Sequence, residues 1–226
     1  MSSLASPPAE TYECGEAFQI LNSTDITVRI LGSCNGLLCV YSTSSDDNVY
    51  VITIWNPSSN EYKQLPRPSK KAQYDIDYYG FGYDYRNDDY KVVRAIAVVR
   101  SSIVDAPRIV DYFLETRAKS DVEVYSLRSD SWKNIDAIPY CFPSAQNCGV
   151  IVNGAIHWIG VGIDHRRDTI VAFDISEETF KDFGILEGPM IQPPEIYDED
   201  NNNNLGVLGG CFVYTTKNLK FVLMYG

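Results

Sequence analysis

Thirty acidic side chains stand against nineteen basic ones in this 226-residue sequence, and paired carboxylates are the first place to look for chemistry. They occur at Asp46-Asp47, Asp75 with Asp77, Asp88-Asp89 and Glu177-Glu178. Two carboxyls can serve as acid and base on a glycosidic bond when they face each other across a cleft in distinct environments. These pairs read instead as turn residues, where aspartate caps local backbone and meets water. The two histidines, His157 and His165, have no evident nucleophile partner. His157, beside Trp158 in an apolar run, reads as a packed core residue. The six cysteines (Cys14, Cys34, Cys39, Cys141, Cys148, Cys211) form no CxxC pair and lie at no metal-ligand spacing from a histidine. Most sit in apolar runs, where a free thiol packs as a small hydrophobe. P-loop, G-x-S-x-G, HExxH and GxGxxG motifs are absent. The sequence therefore assigns no catalytic residue, no metal and no cofactor, and reads as a non-enzyme.

Two other groups of side chains suit binding. The stretch from Arg100 to Asp121 is far longer than the strand connections inside the other units and carries Arg108, Tyr112, Phe113 and Arg117. Such residue types are favoured at protein interfaces. Between Gly160 and Asp168, the residues Asp164, His165, Arg166 and Arg167 form the one compact charged cluster. Both groups are candidate partner-binding segments. The formal net charge of −11 disfavours nucleic acid and anionic membrane and steers a basic protein partner. No run approaches the roughly 20 apolar residues of a membrane span, and no signal-type apolar region follows Met1. A reducing compartment, cytoplasmic or nuclear, is expected.

The elements that must position these segments follow from a repeat. After Gly36 an apolar run, a polar loop, a second run ending at Trp55 and a turn lead to a third extended piece at Tyr62. The unit returns after Gly154: nineteen residues separate Gly36 from Trp55 and Gly154 from Phe173, and seven separate Trp55 from Tyr62 and Phe173 from Phe180. Tyr83 to Tyr90 and Tyr125 to Trp132 repeat the seven-residue aromatic step around a polar turn. β-Branched and aromatic runs bounded by Gly, Asn, Pro and Ser read as strands, and a recurring unit of three or four of them reads as a β-propeller or related array. Residues 90–99 are expected to form a central strand. Val122-Glu123-Val124-Tyr125 alternates, so one face of that strand is expected to meet solvent. Residues 66–71 read as a linker, and the Pro-, acid- and Asn-rich stretch from Pro193 to Asn204 as a mobile loop. A fourth unit opens at Leu205, and the repeat is expected to be incomplete at the C-terminal end.

Several of these segments resemble the F-box-associated domain of plant F-box proteins, the group that includes kelch-like and S-locus F-box proteins. Leu31-Gly32-Ser33-Cys34-Asn35-Gly36-Leu37-Leu38-Cys39 resembles its opening, and Ile54-Trp55-Asn56-Pro57 its WNP segment. Gly80-Phe81-Gly82-Tyr83-Asp84 with Tyr90-Lys91-Val92-Val93, Val122 to Trp132, Val152 to Trp158 and Ile170 to Asp174 follow in the family's order. The resemblance implies a substrate-recruiting, propeller-like domain of a Skp1–cullin–F-box ubiquitin ligase. It implies that Skp1 and cullin are reached through an F-box, for which residues before Gly32 offer no amphipathic helical pair. In the S-locus branch it implies a basic ribonuclease as target.

The expectation is an all-β, propeller-like array of three- to four-stranded antiparallel units over residues 29–226, preceded by a flexible leader at 1–28. Its function is to bind a target protein for ubiquitination. The alternatives are a propeller-type carbohydrate-binding or hydrolytic domain, which a cluster of aromatics with opposed carboxylates would favour, and a truncated product with no function of its own.

Overall fold

The computed structural model describes residues 26–44, 50–69, 77–98, 119–142, 148–162, 168–185, 204–208, 211–215 and 222–224, and every regular element among them is a β-strand. The first sheet is a meander of β1 (Ile26–Cys34), β2 (Leu37–Ser44), β3 (Tyr50–Asn56) and β4 (Glu61–Gln64). The second is β5 (Asp77–Asp84), β6 (Asp89–Val98), β7 (Lys119–Ser126) and β8 (Ser131–Ile138). In the third, β10 (Val150–Val152), β11 (Ala155–Gly162), β12 (Asp168–Asp174) and β13 (Thr179–Ile185) run in order. Its inner edge is extended by β9 (Tyr140–Cys141), which pairs with the far end of β11. The chain leaving the second sheet thus adds a strand to the third before building it. A fourth, three-stranded sheet is β14 (Asn204–Leu208), β15 (Cys211–Thr215) and β16 (Val222–Met224). The four repeat units expected from the sequence are these four sheets.

Turn chemistry explains the repeat. Asn35-Gly36 and Asn153-Gly154 take φ of 50° and 80°, and 49° and 78°, the two positive values that a two-residue hairpin matching strand twist requires. The longer turns share another device. Asn56, Asp84 and Asp174 each follow an aromatic at the end of a strand, and each accepts from two backbone N–H groups of its own turn. Ser126 holds the equivalent place, its Oγ accepting from Ser129 N. The fourth turn residue then takes a left-handed φ: Asn60 56°, Asp88 52°, Asp130 51°, Glu178 54°. This geometry brings each seven-residue aromatic pair directly opposite across a hairpin: Trp55 and Tyr62, Tyr83 and Tyr90, Tyr125 and Trp132, Phe173 and Phe180.

The second sheet lies between its neighbours. One face, with Tyr79, Phe81, Val92 and Tyr125, packs on Leu31, Cys39, Ile52 and Ile54 of the first sheet. The other, with Tyr78, Val93, Ala95, Val122 and Val124, packs on Ile156, Trp158, Val171 and Phe173 of the third. β6 is central, as its β-branched run implies. The expectation for β7 fails: Glu123 and Val124 are both buried, because each face of this sheet meets another sheet. The polar members of the alternation point at a neighbouring sheet instead of water.

First strands sit side by side. Cys148 Sγ donates to the Ile30 carbonyl at 3.1 Å and forms a parallel bridge with Tyr79. The Tyr79 carbonyl accepts from Gly149 N at 2.7 Å and Trp158 Nε1 at 3.0 Å. Gly80 makes the approach feasible, since a Cβ there would lie 2.5 Å from Ile156 Cγ2 and 2.7 Å from Trp158 Cζ2. Further along, Gly32 packs against Phe81 and Cys34 bonds to the Tyr83 backbone, so β1 and β5 run in the same direction.

Candidate partner-binding face

Antiparallel meanders put alternate connections at opposite ends of a sheet. With the first strands parallel, the tight turns at 35–36, 57–60, 85–88, 127–130, 153–154 and 175–178 share one end. The strand ends flanking the other connections share the opposite end: Ser44 and Tyr50, Val98 and Lys119, Gly162 and Asp168. The two candidate binding segments therefore leave from one end of the array. Arg108, Tyr112, Phe113 and Arg117, and Asp164, His165, Arg166 and Arg167, themselves lie outside the described residues, as does most of the leader and of the 193–204 stretch. A shallow recess of about 230 Å³ opens at this same end, lined by Tyr50 to Ile52 and Gln64 to Pro68.

Behind the recess lies a buried charge cluster that the sequence reading did not single out. Arg94, on β6, is fully buried. Its Nε and Nη2 donate to Asp77 Oδ2 at 2.9 and 2.6 Å, and its Nη1 donates to Glu123 Oε2 at 2.9 Å. Burial pulls the guanidinium pKa down, but Asp77 together with Tyr79 and Tyr50 outweighs it and holds the value above the usual arginine range. The second Glu123 oxygen accepts from Ser69 N at 3.1 Å and Ser69 Oγ at 2.5 Å. Tyr79 Oη donates to Asp77 Oδ2 at 3.0 Å. Both carboxylates are thus engaged by a fixed cation, unlike a free acid and base.

A second cluster ties the tight turns of the second and third sheets. Lys91 Nζ donates to Asp84 Oδ2 at 2.7 Å, Glu178 Oε1 at 2.8 Å and the Ile175 carbonyl at 2.9 Å. Ser176 Oγ donates to Asp84 Oδ1 at 2.7 Å, and Lys133 pairs with the other Glu178 oxygen. Burial pushes the Asp84 carboxyl up, yet donors from Lys91, Asn87 and Ser176 outweigh it and leave the pKa well below the usual range. Glu178 is likewise raised by burial and more strongly lowered by Lys133 and Lys91.

The turn-and-water reading of the carboxylates holds for exposed Asp88 and Glu177 and fails for Asp77, Asp89 and Glu178. Asp89, 6% exposed, accepts from Ser126 Oγ and Arg128 N of the neighbouring hairpin. Strand alternation was the available signal, because Lys91 and Arg94 fall on opposite faces of a strand buried on both. His157 is packed in the core at 4% exposure, with its ring 5.7 Å from that of Phe183. Cys39 and Cys141 are buried free thiols, and burial is the main cause raising Cys39. No group of three or more His, Cys, Asp or Glu among the described residues could hold a metal ion.

Successive antiparallel sheets, packed face to face with parallel first strands, define a β-propeller-type scaffold that presents its longer connections at one end. Sequence comparison agrees, matching residues 9–200 to the F-box associated beta propeller domain. The chain belongs to that family. It is 28% identical over 203 residues to an F-box protein of Arabidopsis thaliana, covering 81% of this chain and 44% of the relative. F-box protein CPR1 of the same organism is 26% identical over 201 residues, with the same coverages. An F-box/kelch-repeat protein, also from Arabidopsis thaliana, is 27% identical over 166 residues, covering 72% of this chain and 39% of the relative. The chain spans less than half the length of these relatives.

Proposed function

We propose that this chain is the target-capture domain of an F-box protein, binding a protein substrate for ubiquitination by a Skp1–cullin–F-box ligase in the cytoplasm or nucleus. The match of residues 9–200 to the F-box associated family carries the reading. Skp1 and cullin are reached through an F-box, while the sheets act as a scaffold for binding without catalysis. Two features support capture at the end where 99–118 and 163–167 emerge. Those segments carry Arg108, Tyr112, Phe113 and Arg117, and Asp164, His165, Arg166 and Arg167, residue types suited to a protein interface. The strand ends that flank them lie together, beside the recess at Tyr50 and Arg67.

A net charge of −11 favours a basic target. A basic ribonuclease of the S-locus type is the specific case that the resemblance suggests. Mixing the folded chain with such a ribonuclease at low and at physiological salt tests that case. Complexation that weakens as salt rises supports it, and no complex at either salt removes the ribonuclease while leaving target capture to be tested with other proteins.

A further inference from the structure

We propose that Ser69 is a phosphorylation site whose modification unlatches the connection between the first and second sheets. The connection leaves β4 under three successive anchors. Leu65 N donates to the Ile52 carbonyl at 2.8 Å, Trp132 Nε1 donates to the Pro66 carbonyl at 2.7 Å, and Ser69 gives both its N–H and its hydroxyl to one oxygen of Glu123. Glu123 is fully buried and its other oxygen is held by the fully buried Arg94, which also grips Asp77 at the start of β5. One guanidinium therefore fixes both ends of segment 70–76: Asp77 directly, and Ser69 through Glu123. Ser69 itself is exposed and outside any strand, as a kinase substrate must be. Arg67 precedes it by two residues and Lys70 and Lys71 follow, a basic run in a chain with only nineteen basic residues.

The chemistry opposes the latch. A kinase transfers the γ-phosphoryl of ATP to Ser69 Oγ: the O–P bond to the serine forms, the bond to the β-phosphate oxygen breaks, ADP leaves and the hydroxyl proton is released. The product has lost the hydroxyl, one of the two Ser69 donors that Glu123 accepts, and carries about −1.5 to −2 charge against a buried carboxylate. Repulsion expels residue 69 from Glu123, and the flanking Arg67 can take up the phosphate in water. The switch stands without the capture reading.

The test incubates the folded chain and its Ser69→Ala variant with plant cytosolic extract and γ-labelled ATP, then follows backbone amide exchange before and after phosphatase treatment. The proposal predicts label that Ser69→Ala abolishes. It also predicts exchange at the amides of Leu65, Arg67, Ser69 and residues 77–79 faster by at least about tenfold, reversed by phosphatase, with β11 and β12 unchanged. Ser69→Asp should reproduce the faster exchange without a kinase. Label independent of Ser69, absence of label, or phosphorylation that leaves exchange unchanged would overturn it.

Discussion

Lys91 on β6 reaches Glu178 in the β12–β13 turn, 2.8 Å between Nζ and Oε1, and so joins two sheets at their tight-turn ends. The same ammonium holds the fully buried carboxylate of Asp84 at 2.7 Å. Buried pairs of this kind add little net stability relative to apolar packing, but removal of one partner strands the other. Lys91→Met should therefore destabilise the chain by about 3 kcal/mol, read as a lower urea midpoint with unchanged slope. Glu178→Gln, at a half-buried site where Asp84 still holds Lys91, should cost about 1 kcal/mol.

Acid should unfold the chain in two stages. Burial pushes the His157 imidazole below its usual 6.5. The unfolded chain then takes up this proton first, so the associated stability is whole above pH 6.5 and declines below it. Asp84 and Glu178 are held below their usual 3.8 and 4.5, so their contribution is whole above pH 4.5 and is lost as pH falls through the folded values. Urea midpoints measured from about pH 8 to about pH 3 should show both declines. His157→Gln should remove the first, and Lys91→Met should shrink the second, because without the ammonium the folded carboxyl pKa values rise towards the unfolded ones.

Sheet-to-sheet approach at β5 depends on a missing Cβ. Gly80→Ala would place a methyl 2.5 Å from Ile156 Cγ2 in a close-packed interface. A loss of about 1–3 kcal/mol is expected, and Ile156→Ala, which removes that Cγ2, should cost less in the Gly80→Ala chain than in wild type. Equal stability of Gly80→Ala and wild type by thermal unfolding would contradict the packing described.

Hairpin closure at Asn153 uses a φ of 49° that β-branched residues avoid. Asn153→Val should lose about 1–2 kcal/mol and Asn153→Gly much less, a ranking readable from melting temperatures.

Much of this architecture is legible in the residues. The two Asn-Gly turns and the four seven-residue aromatic steps name six hairpins, because turn type and strand period are local properties. What is not local was missed. Glu123 alternates with Val122 and Val124 like a residue on a wet face, and only the first sheet packing there explains its burial. Lys91 and Arg94 look like ordinary strand polars until Asp77 and Asp84 meet them across their own hairpin and Glu123 and Glu178 are brought to them from β7 and the third sheet. The connector serine, Ser69, sits in a linker by sequence, yet it closes on a carboxylate 54 residues away.

The central claim is that protein capture occurs at the end from which 99–118 and 163–167 leave. It is tested most directly by quantitative affinity capture from plant extract, with the proteasome inhibited, using three versions of the chain. One is wild type. One carries alanine at Arg108, Tyr112, Phe113 and Arg117, and one carries alanine at the exposed tight-turn residues Ser58, Tyr85 and Arg128. The account predicts a reproducible set of proteins that the first variant loses and the second retains. Loss with the tight-turn variant and full retention with the other would place the binding face at the opposite end and contradict it.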